Sequence, residues 1–331
     1  MRRRLPEVLA VAAAAAAIAG CGSTSDHPLR VALAALATKP PATTTSSSTT
    51  SSSTASSGAS CSHPEASLRP GAVMPTPGAV PHGSFMERIQ RRGYLRAGVD
   101  QNTLLFAYFN PQDRDIEGFE IDLLRQIAKA IFGNPDAIQF RAVTTNERSD
   151  AVRDGSVDIV ADAFTITCER RRQVDFSTVY FDAGQQVLVP SNSAARSVKD
   201  LGGKRVCATI GSTTILKLKT LKPRVVAYGV PQRTDCLVAL QQGLVDAISS
   251  DSSILLGYEA QDPETKIVGP RFADEPYGMA ISKAHPEFVR FVNGVLARMR
   301  ADGTWERIYA HWLGKVTHAK APAPPTAQYE H

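Results

Sequence analysis

One short pattern occurs twice in this chain, and it constrains the fold more than any other feature. Residues 151–162 read AVRDGSVDIVAD and residues 238–251 read VALQQGLVDAISSD. Each copy has a helical segment, a capping glycine, the pair Val-Asp and a short apolar strand. Because strands and helices also alternate around both copies, a mainly parallel sheet is favoured in each half of the chain. The sequence therefore predicts an α/β protein with two similar lobes.

The predicted elements fall into two sets, followed by a return of the chain. Strands are predicted by short apolar runs at 94–100, 138–143, 157–163, 204–210, 224–229, 245–250 and 277–283. Helices are predicted at 118–133, 147–154, from 211, at 235–243, and in two pieces separated at Asp302-Gly303. Two connections, near 185–191 and near Tyr277, would link the lobes. Paired crossovers suit a hinge that closes around a ligand.

The stretch FTITCERRRQVDFS (164–177) follows directly after the predicted strand 157–163. An arginine at the end of a strand can hold a carboxylate through two charge-assisted hydrogen bonds. The alternative is a solvated basic turn. In open parallel sheets, ligands bind outside the carboxyl ends of the strands. That rule places Thr165 and Arg170 of the first lobe, and Asp251 of the second, around a shared cleft.

The N-terminus begins MRRRLPEVLAVAAAAAAIAGCGS, which is typical of an export signal. Its apolar run is shorter than the roughly 20 residues that a spanning helix needs. The residues IAGC resemble a bacterial lipobox, which implies cleavage of residues 1–20 and lipid attachment to Cys21. An ordinary signal peptide is the alternative. Residues 21–60 are rich in Ser and Thr and predict a disordered tether, and 319–331 predict a disordered tail.

Export makes two disulfides the simplest use of the other four cysteines. Three pairings are possible. We pair Cys207 with Cys236 because both lie in the second half, which leaves Cys61 for Cys168. A metal site is the alternative, but no CxxC or His-rich spacing supports it, and we expect neither metal nor cofactor. The net charge of +5 is modest and the basic residues are scattered, so nucleic acid is not an expected partner.

Four segments, GFEIDL, VDIVADAFTITCERRRQVDFSTVY, KDLGGKRVCATIGST and ADGTWERIYAHWLG, follow one another in this chain. Their order and spacing resemble those of extracellular solute-binding proteins for polar amino acids, over about residues 92–313. The lipobox, tether and cysteines resemble most closely the actinobacterial glutamine- and glutamate-binding lipoproteins. The resemblance implies a two-lobed, periplasmic-binding-protein-like fold of type II. Its first lobe would comprise 61–190 and 277–318, and its second lobe 191–276.

The resemblance also implies which residues bind the ligand. In such proteins the arginine after IT-x-E holds the α-carboxylate, which falls on Arg170, and a hydroxyl matching Thr165 assists it. Main-chain groups near Ala163, and at Ser212 and Thr213 on a helix N-terminus, would complete the carboxylate site. Asp251 matches the aspartate that takes the ammonium group.

The side-chain end of the site is implied in the same way. Arg148 and Thr145 match residues of members that bind acidic amino acids. Asp100 occupies the position of a side-chain-reading polar residue, and Phe106 that of an apolar wall. The aromatic residue that sandwiches glutamine in some relatives is missing near Thr103. Together these features favour an acidic, or a broader acidic and amide, preference over strict glutamine. For Arg148 the alternative is a surface salt bridge, and for Phe106 the core.

Other prominent residues are expected to be structural. They are two aspartates that orient strands, two tryptophans in the core and two surface arginines: Asp158, Asp246, Trp305, Trp312, Arg171 and Arg172.

The sequence thus predicts a monomeric, lipid-anchored, extracytoplasmic receptor for a polar amino acid. It would close on glutamate or aspartate, or on glutamine or asparagine, and deliver the ligand to an ABC transporter permease. The alternative is a ligand-sensing subunit that docks on a membrane signalling protein. An enzyme on the same fold, such as a dehydratase or amino-acid lyase relative, is disfavoured. The sequence offers no His/Cys nucleophile pair and no evident carboxylate pair facing the cleft.

Overall fold

A computed structural model describes residues 61–330 of the chain. The predicted signal peptide, the lipidation site at Cys21 and the tether lie outside the described residues. Within the described part, no helix has both the length and the apolar character needed to cross a bilayer.

The α-helices are α1 Phe85–Arg92, α2 Phe119–Phe132, α3 Arg148–Arg153, α4 Cys168–Arg171, α5 Thr213–Leu218, α6 Asp235–Gln241, α7 Ser252–Gln261, α8 Pro286–Ala301, α9 Thr304–Tyr309 and α10 Lys315–Thr317. The β-strands are β1 Leu95–Val99, β2 Asn102–Thr103, β3 Ala107–Asn110, β4 Asp115–Glu117, β5 Ile138–Ala142, β6 Ile159–Val160, β7 Asp175–Phe176, β8 Phe181–Pro190, β9 Arg205–Thr209, β10 Val226–Val230, β11 Ala247–Asp251, β12 Thr265–Val268, β13 Asp274–Tyr277 and β14 Ala280–Ile281.

Each lobe is built on one mixed sheet. The first sheet has the order β5-β1-β6-β14-β7, and the second has the path β10-β9-β11-β8-β12. In both, the first three strands are parallel and the others join antiparallel. The three parallel strands have the same spatial order in the two lobes. The first of them in chain order lies in the middle, with the second on one side and the third on the other. The predicted two-lobed α/β architecture is confirmed.

The repeated sequence pattern has a repeated structural role. Asp158 accepts a hydrogen bond from the backbone N–H of Arg96 at the start of β1, at 2.8 Å. Asp246 accepts the equivalent bond from the backbone N–H of Arg205 at the start of β9, also at 2.8 Å. Each aspartate thus ties the strand that follows it to its parallel neighbour. The prediction that both aspartates orient strands is confirmed.

Two antiparallel strands connect the lobes. β13 pairs with the first half of β8, from Phe181 opposite Tyr277 to Gly184 opposite Asp274. From Gln185 onward, β8 pairs with β11 of the second sheet. The passage into the second lobe therefore begins near residue 181, earlier than the expected boundary at 190.

The core of the first lobe packs α2, α8 and α9 around aromatic side chains. α2 ends at Phe132, and Gly133 caps it in a left-handed conformation. Trp305 is almost fully buried, and its indole N–H donates to the carbonyl of Tyr180 at 2.8 Å. Trp312 is half-buried and donates to Asp122 at 2.7 Å. Both tryptophans are packing residues.

The C-terminal residues 319–330 are not the free tail that their composition predicts. The N–H of Glu330 donates to the carbonyl of Ser67 at 2.9 Å, and Arg300 donates to the carbonyl of Pro325 at 2.9 Å. A segment with few large apolar side chains is thus held by its backbone groups, which find partners elsewhere in the fold.

Arg171 is half-buried, in contrast to the surface position that the sequence predicts. It donates to the carbonyls of Pro64 and Ala66 and pairs with Glu330, so that it joins the two ends of the described chain. Both predicted disulfides are present. Cys61 is bonded to Cys168, and Cys207 to Cys236.

Candidate functional site

A cavity lies between the two lobes, at the carboxyl ends of the parallel strands of both sheets. The empty space between its lining atoms, including the part that opens to solvent, is about 260 Å³. The first lobe contributes Thr145, Arg148, Ala163, Thr165 and Arg170. The second contributes Thr209, Ser212, Thr213, Thr214, Arg233, Ser250, Asp251 and Ile254. All the predicted ligand-binding residues line it except Asp100 and Phe106.

Arg170 is held at the edge of this cavity by the helix α4. The hydroxyl of Thr167 caps α4 by accepting the N–H of Arg170 at 3.2 Å. The guanidinium donates to the carbonyl of Thr165 at 2.7 Å and, across the cleft, to that of Gly211 at 3.2 Å. Burial lowers its pKa, while Glu275, Asp251 and Glu169 oppose this shift. Because both acceptors are neutral carbonyls, the cation keeps the capacity to bind an anion.

Asp251 faces the cavity from the second lobe, at the end of β11. It is 5% exposed, and its Oδ2 accepts a hydrogen bond from the hydroxyl of Tyr277 at 2.6 Å. Its Oδ1 is buried and meets no donor among the described residues. Burial, followed by the nearby Glu275 carboxylate, raises the pKa of Asp251 to about 7, and the Tyr277 hydroxyl opposes the shift. A cation beside Oδ1 would compensate this buried carboxylate.

Ser212 and Thr213 lie at the start of α5. The Ser212 hydroxyl caps the helix by accepting the N–H of Ile215 at 3.1 Å, and it donates to the carbonyl of Thr209 at 2.6 Å. Thr213 donates to Glu275 at 2.6 Å. These hydroxyls are thus engaged within the protein, and the main-chain groups of this segment are what remains to contact a ligand.

Ala163 has a positive φ of 43°, a conformation that is strained for any residue with a side chain. A glycine would adopt this conformation without strain. Glu120 holds the strained residue by accepting its N–H at 2.7 Å, and it also accepts the hydroxyl of Tyr180. Burial raises the pKa of Glu120 to about 7.

Arg148 is 2% exposed, so it forms no surface salt bridge. Its guanidinium donates to three carbonyl oxygens, of Thr145 at 3.0 Å, Asp162 at 2.9 Å and Ala163 at 3.2 Å. It also lies over the ring of Phe164, 4.1 Å from the centroid. Burial lowers its pKa to about 9. Its Nη2 has no hydrogen-bond partner within the described chain, which leaves one donor group for a ligand.

Asp100 and Phe106 do not reach the cavity. Phe106 is fully buried in the core, where its ring lies 5.0 Å from that of Phe181 and 5.6 Å from that of Phe119. Asp100 accepts the hydroxyl of Thr103 at 2.9 Å and pairs with Arg233 at 2.5 Å. The carboxylate of Asp100 is therefore already bonded to protein partners.

Five lining residues were not predicted from the sequence, and Arg233 is the charged one; the others are Thr209, Thr214, Ser250 and Ile254. Arg233 comes from the second lobe and pairs with two carboxylates of the first, Asp100 and Asp162. The sequence contains a feature that could have identified this residue, because Arg233 lies just after the parallel strand β10. The strand-end rule that selected Thr165 and Asp251 applies to it equally.

The lobes, the hinge strands and the polar cavity between them define a two-lobed ligand-binding protein. Residues 95–315 match the bacterial extracellular solute-binding proteins, family 3. The chain belongs to this family, and its fold is that of the type II periplasmic binding proteins.

Individual relatives agree with this assignment. The chain is 37% identical over 217 residues to the ABC transporter glutamine-binding protein GlnH of Bacillus subtilis, covering 65% of this chain and 80% of that protein. It is 30% identical over 243 residues to the glutamate-binding protein GluB of Corynebacterium glutamicum, covering 70% and 82%. Among solved structures, it resembles an ancestral amino acid-binding protein, AncCDT-1, described as a precursor of cyclohexadienyl dehydratase. That match has a TM-score of 0.64 and 32% identity, and covers 69% of this chain and 99% of that one.

Proposed function

We propose that this protein binds a polar amino acid between its lobes and closes around it. The observation that carries the proposal is the pair of opposite charges across one cavity between the lobes. Arg170 of the first lobe keeps capacity for an α-carboxylate, and Asp251 of the second has a buried oxygen that meets no donor from residues 61–330. A zwitterion would satisfy both, whereas burial of either charge alone is costly. Since the two groups come from opposite lobes, the ligand would stabilise the closed form.

The proposed ligand has an acidic or amide side chain, with a preference for glutamate or aspartate. Arg148 and Thr145 line the same cavity as Arg170, and the free Nη2 of Arg148 could donate to a carboxylate or amide oxygen. The names of the relatives support both classes, since one is a glutamine-binding and another a glutamate-binding protein.

We further propose that the protein acts outside the cytoplasmic membrane, held by lipid at Cys21 and the tether of residues 21–60. Its partner would be an ABC transporter permease, in line with the description of the Bacillus relative. A membrane signalling protein is the alternative partner, and crosslinking of the anchored protein in membranes would separate the two. The resemblance to the dehydratase precursor makes turnover worth testing. We expect candidate amino acids to be recovered unchanged after incubation with the purified protein.

The test is a thermal-shift screen over the twenty amino acids, followed by calorimetry on those that raise the melting temperature. Binding to the native state alone raises apparent stability. Arg170→Ala should abolish binding, because the buried α-carboxylate of the ligand would lose the guanidinium that we propose holds it. Arg172→Ala is the matched control, since Arg172 lies two residues further on, is exposed and does not line the cavity. Unchanged affinity in Arg170→Ala would contradict the site assignment.

A further inference from the structure

Arg233 forms the most heavily bonded ionic contact between the lobes in the described structure. Its Nη1 donates to Asp100 Oδ2 at 2.5 Å and to Asp162 Oδ1, and its Nη2 donates to the carbonyl of Asp162 at 3.1 Å. Arg233 belongs to the second lobe, and both aspartates belong to the first. Every one of these contacts therefore exists only when the lobes are closed.

All three charges of this cluster are buried. Arg233 is 6% exposed, Asp100 is 7% and Asp162 is 1%. The two aspartates raise the pKa of Arg233 and outweigh the opposing effect of burial. A buried charge without its partner is strongly unfavourable, so the three groups stabilise the closed form only as a set.

Charge balance extends to Arg148. Its Nε lies 3.8 Å from Asp162 Oδ2, and no hydrogen bond to that oxygen is formed within the described chain. Two arginines and two aspartates thus alternate from Arg148 through Asp162 and Arg233 to Asp100. Removal of Arg233 alone leaves one excess negative charge in the closed form. Removal of Arg233 together with Asp100 leaves the balanced pair of Arg148 and Asp162.

We propose that Arg233 is a positioning residue that latches the closed form through Asp100 and Asp162, rather than a residue that reads the ligand. The inference rests on the proposed closure around an amino acid. It gives Asp100 a role in closure instead of in side-chain recognition. The Cys207–Cys236 disulfide, three residues after Arg233, fixes the loop that presents the guanidinium.

The test compares Arg233→Gln with the wild-type protein in two measurements. The first is the lobe-to-lobe distance in the unliganded full chain, from fluorophores on unnatural amino acids at the exposed positions Arg153 and Lys219. The second is the affinity for every amino acid that binds. We expect a longer mean distance and an affinity loss of roughly a hundredfold or more, equal for acidic and amide ligands, because an unpaired charge would be buried on closure.

A double-mutant cycle separates the latch from a general structural effect. Asp100→Asn alone should weaken binding, and Arg233→Gln combined with Asp100→Asn should bind more tightly than Arg233→Gln alone, because the combination restores the charge balance. Arg205→Gln is the matched control, since this half-exposed arginine pairs with Asp246 inside the second lobe. It should change neither measurement. If Arg233→Gln fails to fold, Arg233→Lys keeps the charge without the planar fork and should show an intermediate loss.

Three results would overturn the proposal. The first is an unchanged lobe-to-lobe distance and ligand affinity in Arg233→Gln. The second is an affinity loss in that variant for acidic ligands alone. The third is an affinity loss in the double variant equal to the sum of the losses in Arg233→Gln and Asp100→Asn. If the wild-type protein bound no amino acid, the proposed function would fail, and the distance measurement would still decide whether Arg233 holds the lobes together.

Discussion

Gly211→Ala offers a direct test of whether the closed arrangement is the binding form. Gly211 lies between β9 and α5 with a positive φ of 81°. A Cβ built there would overlap Oδ1 of Asn146, a residue of the first lobe, and would lie 2.9 Å from its Cγ. The carbonyl of Gly211 also accepts the hydrogen bond from Arg170 across the cleft. The added methyl group therefore collides with the opposite lobe only when the lobes are closed.

The expected magnitude has two parts. The left-handed conformation costs about 1–2 kcal/mol for a residue with a side chain, and this cost falls on the open and closed forms alike. It lowers stability and leaves affinity unchanged. Overpacking costs typically 1–3 kcal/mol, and since the Asn146 side chain can rotate away, the lower part of that range, about 1–2 kcal/mol, applies to closure. Affinity should therefore fall about five- to thirtyfold.

Calorimetry with an amino acid that binds the wild-type protein measures this loss, and Gly243→Ala is its control. Gly243 also has a positive φ, of 67°, but a Cβ there would meet no atom within 4 Å. Gly243→Ala should lose stability without losing affinity. Gly211→Ala combined with Asn146→Gly should recover most of the affinity. Equal affinities in the two single alanine variants would refute the reasoning, because strain alone would then explain both.

The other predictions concern charge in the cavity. Arg148→Ala should weaken glutamate or aspartate at least about tenfold more than glutamine in calorimetry, since it removes a cation; equal losses would mean that Arg148 serves only groups common to all ligands. Affinity should fall as the pH drops below about 7, by up to about tenfold per pH unit. The reason is that the ligand ammonium needs ionised Asp251, and burial in the closed structure raises the pKa of this carboxyl to about 7. The profile should flatten in Asp251→Asn, and a flat wild-type profile would count against the ammonium site.

Most of the residues of the site could be predicted from the sequence because ligand sites in parallel sheets lie at the carboxyl ends of the strands. Residues such as Thr165 and Asp251 follow apolar strands, and parallel strands bring their carboxyl ends to one edge of a sheet. The repeated Val-Asp pattern showed that the rule had to be applied twice. What it could not supply was the pairing of residues far apart in the chain. The contact of Arg233 with Asp100 joins positions separated by 133 residues, and no local pattern predicts it.

Two further features, α7 and the ordered C-terminal segment, were not predicted because they also depend on contacts between residues far apart in the chain. α7 carries Gly257 in its interior, which ordinarily counts against a helix. A Cβ at Gly257 would lie 2.8 Å from the carbonyl oxygen of Leu104. The glycine therefore lets α7 pack closely against the backbone at Leu104, a tertiary contact that helix propensity does not reveal. The C-terminal segment was predicted to be disordered because its composition offers few large side chains to bury. It is held instead by hydrogen bonds of its backbone with Ser67 and Arg300, and by the ion pair of Glu330 with Arg171.

The two disulfides occupy related places, which bears on how the site is held. Cys168 begins α4 two residues before Arg170, and Cys236 lies in α6 three residues after Arg233. Each crosslink thus fixes a short helix whose neighbouring guanidinium reaches the opposite lobe. Helices of four and seven residues are too short to be stable by themselves. The crosslinks order these helices before the lobes close. Closure therefore does not carry the conformational-entropy cost of ordering them, and more of the interaction free energy favours the bound form.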